Sequence, residues 1–215
     1  MAIALQKTRP NEPLVSTMKV TGGPRRFTVQ EYYQMAEIGL LQPDERVELI
    51  EGEIILMSPQ GPQHASSNQR ATRWFTQKLS VRAVVRIQLP VRLSELSEPE
   101  PDVALAVLDA DEYGDHHPTP KEILFILEIS FSSLELDRVY KKRLYAQAGI
   151  RQYCVLNLLT RELEDYRQPS AAGYRSQQTL TERESFTLAA FPDVEVNVSD
   201  LLPLRKRELR PKRKR

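Results

Sequence analysis

Two carboxylates and a lysine stand where divalent-metal phosphodiester chemistry would need them. Asp102 follows Pro101 at the entrance of one apolar run, Val103 to Leu108, and Glu128 lies inside a second, Ile123 to Ile129. Runs of this length, rich in Ile, Leu and Val, read as buried strands. A carboxylate buried there without a partner would cost several kcal/mol or lose its charge, so Glu128 requires a cation, a donor or a metal. The next segment offers the cation: Asp137, Lys141 and Tyr145 recur at four-residue spacing, on one face of a short helix ending at Gly149. Two strand carboxylates facing one divalent ion, with waters left in place, match what Mg²⁺ (or Mn²⁺) accepts. Such an ion polarises a phosphoryl oxygen and lowers the pKa of a water, while Lys141 would steady the developing charge or position the nucleophile. Each sign alone is weak, since Pro-Asp is a common turn dipeptide and a Glu near a strand end usually meets water or an Arg.

The remaining pattern supplies a scaffold. Thr28 with Glu31 three residues later is a capping box, opening a helix through Tyr32, Met35 and Ala36 that stops at Gly39. Val47 to Met57 is broken at Gly52, either as a hairpin or as a helix end plus a strand. His64 to Leu79 is an amphipathic helix with Trp74 and Phe75, suited to packing on a sheet. Val81 to Leu93 is a strand candidate interrupted by Pro90, which favours an edge or a bulge. Gln152 to Leu158 reads as a strand, Thr160-Arg161 as a turn and Glu162 to Arg167 as its hairpin partner, and Tyr174 to Leu202 as short strands with a turn at Pro192-Asp193. The helix between Glu128 and Cys154 is long enough for a right-handed crossover joining parallel strands. The predicted class is α/β, with a central mixed β-sheet flanked by helices.

The length of 215 residues with 40% hydrophobic residues suits one domain, expected over 27–204 between a flexible N-terminal arm, 1–26, and a basic tail, 205–215. That tail holds eight Lys or Arg against one Glu, a net +7, so residues 1–204 carry −6 within a chain of net +1. A tail of this kind attracts a polyanion without sequence preference, or simply faces water. One cysteine, Cys154, excludes an intramolecular disulfide framework, and the N-terminus has no apolar run long enough for a signal peptide or a membrane span. A cytoplasmic protein without membrane association is expected.

Several neighbours carry an ordinary reading beside a chemical one. His64 could transfer a proton or touch phosphate, but a lone His after a turn is more often a hydrogen bonder at a helix start. Gln88 could orient a water or pair with backbone, and Tyr145 reads as packing. The acidic loop Asp109 to His117 fails as a calcium loop, because Tyr113 and Pro120 occupy positions that need ligands. It reads as a solvated insertion at the edge of the cleft.

An ordered set of motifs joins these residues: Glu48-Leu49-Ile50-Glu51-Gly52-Glu53, Ser58-Pro59 with His64, Gln88-x-Pro90, Glu98-Pro99-Glu100-Pro101-Asp102, Glu128-Ile129-Ser130, Asp137-x-x-x-Lys141 and Leu144-Tyr145-Ala146-x-Ala148-Gly149-Ile150. The set resembles the Uma-type family, a bacterial branch of the restriction-endonuclease-like PD-(D/E)XK superfamily, over about Phe27 to Leu202. The resemblance implies a restriction-endonuclease-like core, Glu48 as an early acidic residue of the site, Asp102 and Glu128 as metal ligands, and the carbonyl of Ile129 as a further ligand. The superfamily lysine would fall two residues after the glutamate, where this chain has Ser130, and the resemblance passes its role to Lys141. Phe131, Cys154 and Asn157 depart from the residues common among relatives; the last two read as structural, whereas Phe131 is close enough to Glu128 to affect access.

The expected function is a Mg²⁺-dependent endonuclease acting on DNA, a possible homodimer, with Glu48, Asp102, Glu128 and Lys141 as its catalytic set. The rival is a catalytically inactive nucleic-acid-binding or assembly protein with the same fold; retained Asp102, Glu128 and Lys141 argue against it, while the acidic body lacks the basic face usual in a duplex binder. A third reading is a phosphoesterase for something smaller than DNA. A wide groove lined by Arg70, Arg73, Lys78, Arg138 and Lys142 would favour DNA, and a narrow closed cleft the smaller substrate.

Overall fold

Parallel pairing of two strands needs a crossover, and the chain makes one where its helix signal stands between two apolar runs. In the computed structural model, which describes residues 23–42 and 44–205, the elements run α1 Val29–Glu37, β1 Val47–Ile50, β2 Glu53–Leu56, α2 Pro62–Leu79, β3 Val84–Ile87, β4 Val103–Ala106 and β5 Ile123–Ser130. A π-helical turn, Leu136–Lys141, continues into α3 Lys142–Gln147, followed by β6 Gln152–Asn157, β7 Glu162–Ser170, β8 Gly173–Thr181, β9 Ser185–Leu188, β10 Phe191–Asn197 and α4 Val198–Leu201. The expected arm up to residue 22 and the tail from residue 206 lie outside the described residues.

Six strands form one sheet in the order β3-β4-β5-β6-β7-β8, with β5 and β6 parallel and every other pair antiparallel. The class is α/β with a mixed central sheet. β3 is an edge strand, as Pro90 just beyond it requires, because proline cannot donate to a further neighbour. α1 opens at Thr28 with both bonds of the capping box in place.

The Val47 to Met57 stretch, left open by sequence, is the antiparallel hairpin β1–β2, a two-stranded sheet of its own. Its turn residues Glu51 and Gly52 both have positive φ, 49° and 77°, the twist that matches right-handed strands. A Cβ at Gly52 would sit 2.6 Å from Arg26 Cβ and 3.1 Å from the Phe27 main-chain nitrogen, so glycine is needed there for space as well as for φ.

The C-terminal third is more regular than expected. β8 is a nine-residue strand paired with β7, and β9–β10 form a separate hairpin. Pro192-Asp193 falls inside β10, at a register shift between Phe191 and Glu195, instead of forming a turn. A bulge leaves the proline nitrogen outside the ladder, so the strand tolerates it.

Strand alternation sorts the core into two layers. Phe125, Leu127 and Ile129 of β5 meet Ala71, Phe75 and Leu79 of α2 together with α4 and the β9–β10 hairpin. Ile126, Tyr153, Val155 and Tyr166 face Leu144 and Tyr145 of α3. Glu128 falls on the second face by parity, beneath α3.

Candidate active site

Register puts the two strand carboxylates side by side. Val103 pairs with Leu127 across β4 and β5, so Asp102 and Glu128 follow at the same end, and the Asp102 N–H lies 3.4 Å from Glu128 Oε2. Asp102 Oδ2 accepts from the Ile129 N–H at 2.8 Å, and Oδ1 accepts from Gln88 Nε2 at 3.1 Å. Gln88 follows β3 with φ of 50°, which turns its side chain back along the strand end, and its own N–H donates to the Asp102 carbonyl at 3.2 Å.

The helix supplies the cation. Lys141 Nζ lies 3.1 Å from Glu128 Oε1 and 3.0 Å from Glu48 Oε2, and the Tyr145 hydroxyl donates to the same Glu128 oxygen at 3.1 Å. Glu48 Oε2 also accepts from the Glu100 N–H at 3.0 Å, which fixes it from the strand side. Asp137, Lys141 and Tyr145 are all buried, as their spacing requires, but the first two stand on π-helical backbone, a local widening often found at functional sites. Asp137 turns to the serines: Ser133 Oγ donates to it at 2.7 Å, and Ser130 Oγ donates to it as well.

Burial dominates the electrostatics. It pushes the Glu128 carboxyl well above its ordinary range; Lys141 opposes this, and the charges of Asp137, Asp102 and Glu48 add to it. Asp137 is raised for the same first reason, with Lys141 and the two serines working against it. Burial alone would pull Lys141 down, but Glu128, Glu48 and Asp137 overcome it and keep the ammonium protonated. Of four buried carboxylates here, Glu48, Asp102, Glu128 and Asp137, two pair with the one lysine.

Such an excess of hard, negatively charged oxygen fits a divalent cation. Among the described residues no three His, Cys, Asp or Glu side chains form a ready metal cage. Mg²⁺ uses one or two carboxylates with retained waters in preference to an all-protein cage, and Asp102 with Glu128 offers that donor set.

His64 corrects the sequence reading. Instead of bonding at its own helix start, its Nε2 lies 3.1 Å from Asp102 Oδ2, because the first turn of α2 sits over the entrance of β4. Burial lowers its pKa, but the hydrogen bond and the charges of Asp102 and Asp137 outweigh that and leave it raised. Among the described residues its buried Nδ1 meets no hydrogen-bond partner. Gln88 and Tyr145, read as ambiguous and as packing, both hold site carboxylates. Ser130 and Glu100 fall inside the quoted motifs but were given no role in the site, and Ser133 was not singled out at all. Cys154 is buried in the other core layer, and Asn157 caps the following turn through the N–H groups of Leu159 and Thr160, both as expected of structural residues.

The cleft above the carboxylates has a volume of about 550 Å³ and is walled by the β1–β2 hairpin with the 58–61 turn on one side and by Phe131 to Asp137 on the other. None of the basic residues expected to line a DNA groove reaches it. Arg138 pairs with Glu164, Lys142 Nζ stands 4.9 Å from the Tyr166 ring centroid, and Arg70 reaches the Ser199 carbonyl at 3.4 Å, while Arg73 and Lys78 also stay outside the lining. They sit on outer helix faces, where exposed charges meet water or neighbours. Arg46 is the lining cation besides Lys141. The acidic loop does not border the cleft either: His117 is held between Arg86, 3.1 Å from its Nδ1, and Tyr33, 3.0 Å from its Nε2.

Among the described residues no helix is long and apolar enough to cross a membrane. No curated protein matches the sequence. The fold is similar to the crystal structure of a protein from Anabaena variabilis ATCC 29413 described as a "putative nuclease belonging to DUF820", with a TM-score of 0.62 and 17% identity over 81% of this chain and 97% of that one. A family model described as "Putative restriction endonuclease" matches residues 29–199, well over half of the chain, and this protein belongs to that family, Uma2.

Proposed function

We propose that the chain is a metal-dependent endonuclease that hydrolyses phosphodiester bonds, with DNA as substrate. Membership of the Uma2 family supports the nuclease class. The observation that carries the mechanism is the meeting of Asp102, Glu128 and Lys141: two carboxylates at adjacent strand ends, with the lysine 3.1 Å from Glu128, at the floor of an open cleft.

Asp102 and Glu128 would hold Mg²⁺ or Mn²⁺, which when bound supplies Lewis-acid polarisation of the phosphoryl group and a lowered pKa for the attacking water. The chain's own residues do the positioning. His64, Gln88 and the Ile129 N–H fix both oxygens of Asp102. Tyr145 and Lys141 fix Oε1 of Glu128, and the lysine ammonium offsets charge that builds on the phosphoryl oxygens. Glu48 holds Lys141 from the far side.

Cleavage of plasmid and single-stranded DNA at low salt with Mg²⁺ or Mn²⁺ tests the proposal, using wild type, Asp102→Ala and Lys141→Ala. Cutting by wild type and not by either variant is the expected result. Equal residual cutting by wild type and Asp102→Ala marks a contaminant. In that case an inactive binding protein becomes the better reading, which the sequestration of Lys141, 4% exposed between two carboxylates, already favours.

A further inference from the structure

A phosphate backbone that approaches the cleft meets mostly negative charge. Six carboxylates line it, Glu48, Glu100, Asp102, Glu128, Glu135 and Asp137, against the two basic side chains Lys141 and Arg46. A bound divalent ion offsets part of that excess, but every nucleotide on either side of it brings a further negative charge. The two basic residues are not equivalent. Lys141 is buried and already meets Glu128 at 3.1 Å and Glu48 at 3.0 Å. Arg46 is exposed and forms no ion pair among the described residues; its side chain reaches only Met57 Sδ, at 4.0 Å, and a thioether is a weak acceptor. Other arginines near the hairpin are engaged, Arg26 with Glu53 and Arg143 with Glu51.

Position gives this free guanidinium its meaning. Arg46 directly precedes β1, and its main-chain carbonyl accepts from the Met57 N–H at 2.8 Å, so the open end of the hairpin carries the side chain beside the 58–61 turn. The part of the lining formed by Arg46, Leu56 to Gly61 and His64 holds no carboxylate, and the first turn of α2 behind it has no acidic residue. The acids lie on the floor and, as Glu135 and Asp137, on the opposite wall. Burial, followed by the charge of Glu48, raises the pKa of the Glu100 carboxyl; Arg46 opposes that rise without closing an ion pair. One wall therefore repels a phosphate backbone and the other accepts it. Arginine suits the accepting wall, because its planar fork of N–H groups matches two non-bridging phosphate oxygens.

We propose that Arg46 is a substrate-binding residue, whose guanidinium holds a phosphate of the nucleic-acid strand next to the scissile one, against the hairpin wall. The strand then enters along the 58–61 turn and reaches Asp102 and Glu128 with its register set by that contact, as phosphate contacts set register elsewhere. This deepens the nuclease reading and rests on it for the identity of the strand.

Two readouts on the full chain test it, for wild type, Arg46→Ala, Arg46→Lys and, as an exposed basic residue outside the cleft lining, Arg73→Ala. The first is fluorescence anisotropy with a labelled DNA oligonucleotide, single-stranded and as a duplex, across salt and with divalent ions chelated. Arg46→Ala is expected to lower the slope of log K against log salt by about 0.7 for the single strand or about 0.9 for the duplex, the amount for one phosphate, while Arg46→Lys and Arg73→Ala keep it. The second is cleavage of the same oligonucleotide at saturating Mg²⁺. Arg46→Ala is expected to raise KM about 10- to 150-fold, the range for one hydrogen bond to a charged group, with kcat little changed, and Arg46→Lys to restore part of it. A wild-type slope and KM in Arg46→Ala overturn the proposal, as does a loss confined to kcat. An equal fall of slope in Arg73→Ala overturns it too, since Arg46 would then be one surface charge among many, and so does a wild type that binds neither oligonucleotide with Mg²⁺ or without. The two readings fail separately. A wild type that never cuts, yet loses one phosphate's worth of slope in Arg46→Ala, keeps the contact and refutes the nuclease; a wild type that cuts, with the same KM and slope in Arg46→Ala, does the reverse.

Discussion

The Tyr145 hydroxyl donates to Oε1 of Glu128 at 3.1 Å, the oxygen that Lys141 also approaches. Tyr145 is fully buried against Tyr153, with ring centroids 4.9 Å apart, so its hydroxyl has been withdrawn from water for this one bond. Tyr145→Phe keeps the ring and removes the donor. The predicted cost is about 1.5–3 kcal/mol, the usual range for a hydrogen bond to a charged group. Urea unfolding should show it as a lower midpoint with an unchanged m-value. An unchanged midpoint would mean that the bond contributes nothing in solution.

Gln88 acts one step back from chemistry. Its amide holds the Asp102 oxygen that neither Ile129 nor His64 reaches. Gln88→Ala should therefore raise the Mg²⁺ concentration needed for half-maximal cleavage about 10- to 100-fold, as loss of a ligand-orienting partner does, with smaller loss at saturating metal. An identical metal dependence would remove Gln88 from the site.

The turn of the first hairpin should be intolerant of any side chain. Gly52→Ala meets both the positive φ of 77° and the Arg26 Cβ at 2.6 Å. A loss of about 1–3 kcal/mol is predicted, from thermal or denaturant unfolding. A stability equal to wild type would show that the turn relaxes freely.

His117 gives the fold a pH dependence away from the cleft. Arginine only donates, so His117 Nδ1 accepts from Arg86 and Nε2 carries the proton toward Tyr33, whose hydroxyl donates on to Glu98. Burial is the largest effect on His117 and lowers its pKa; Glu98 opposes this, while Arg86 and Arg92 add to it. A depressed pKa means that the unfolded chain takes up the proton first. The stabilising contribution is complete above the unfolded value of about 6.5 and is lost as pH falls through the lower folded value. His117→Gln should flatten the fall of melting temperature on mild acidification. A slope equal to wild type would assign that acid sensitivity elsewhere.

How much of this was legible in the sequence depends on the range of each interaction. The capping box at Thr28 and Glu31, the buried strand around Glu128 and the edge position forced by Pro90 are local, and their residues announce them. The inward face of Asp137, Lys141 and Tyr145 was legible from spacing, but the π-helical backbone beneath it was not, because no residue type marks that turn. His64 reaches Asp102 across 38 residues, and Lys141 meets Glu48 only after the hairpin docks. Nothing near either residue in sequence distinguishes a site ligand from a surface side chain. The basic residues of α2 and the crossover helix misled for the related reason that composition gives charge without direction.

The β1–β2 hairpin is a two-stranded sheet of its own, tied to the neighbouring loop through the Glu98 N–H to Leu49 carbonyl bond of 2.8 Å and the Gly52 N–H to Leu96 carbonyl bond of 2.7 Å. It is held by fewer ladder bonds than the six-stranded sheet, so its amides between Val47 and Leu56 should exchange with solvent deuterium ahead of those in β5 and β6. Uniform protection across all four strands would contradict this. Each such opening withdraws Glu48 and frees one side of Lys141, which makes the lysine a gated group whose acylation by a small reagent keeps time with the breathing of the hairpin.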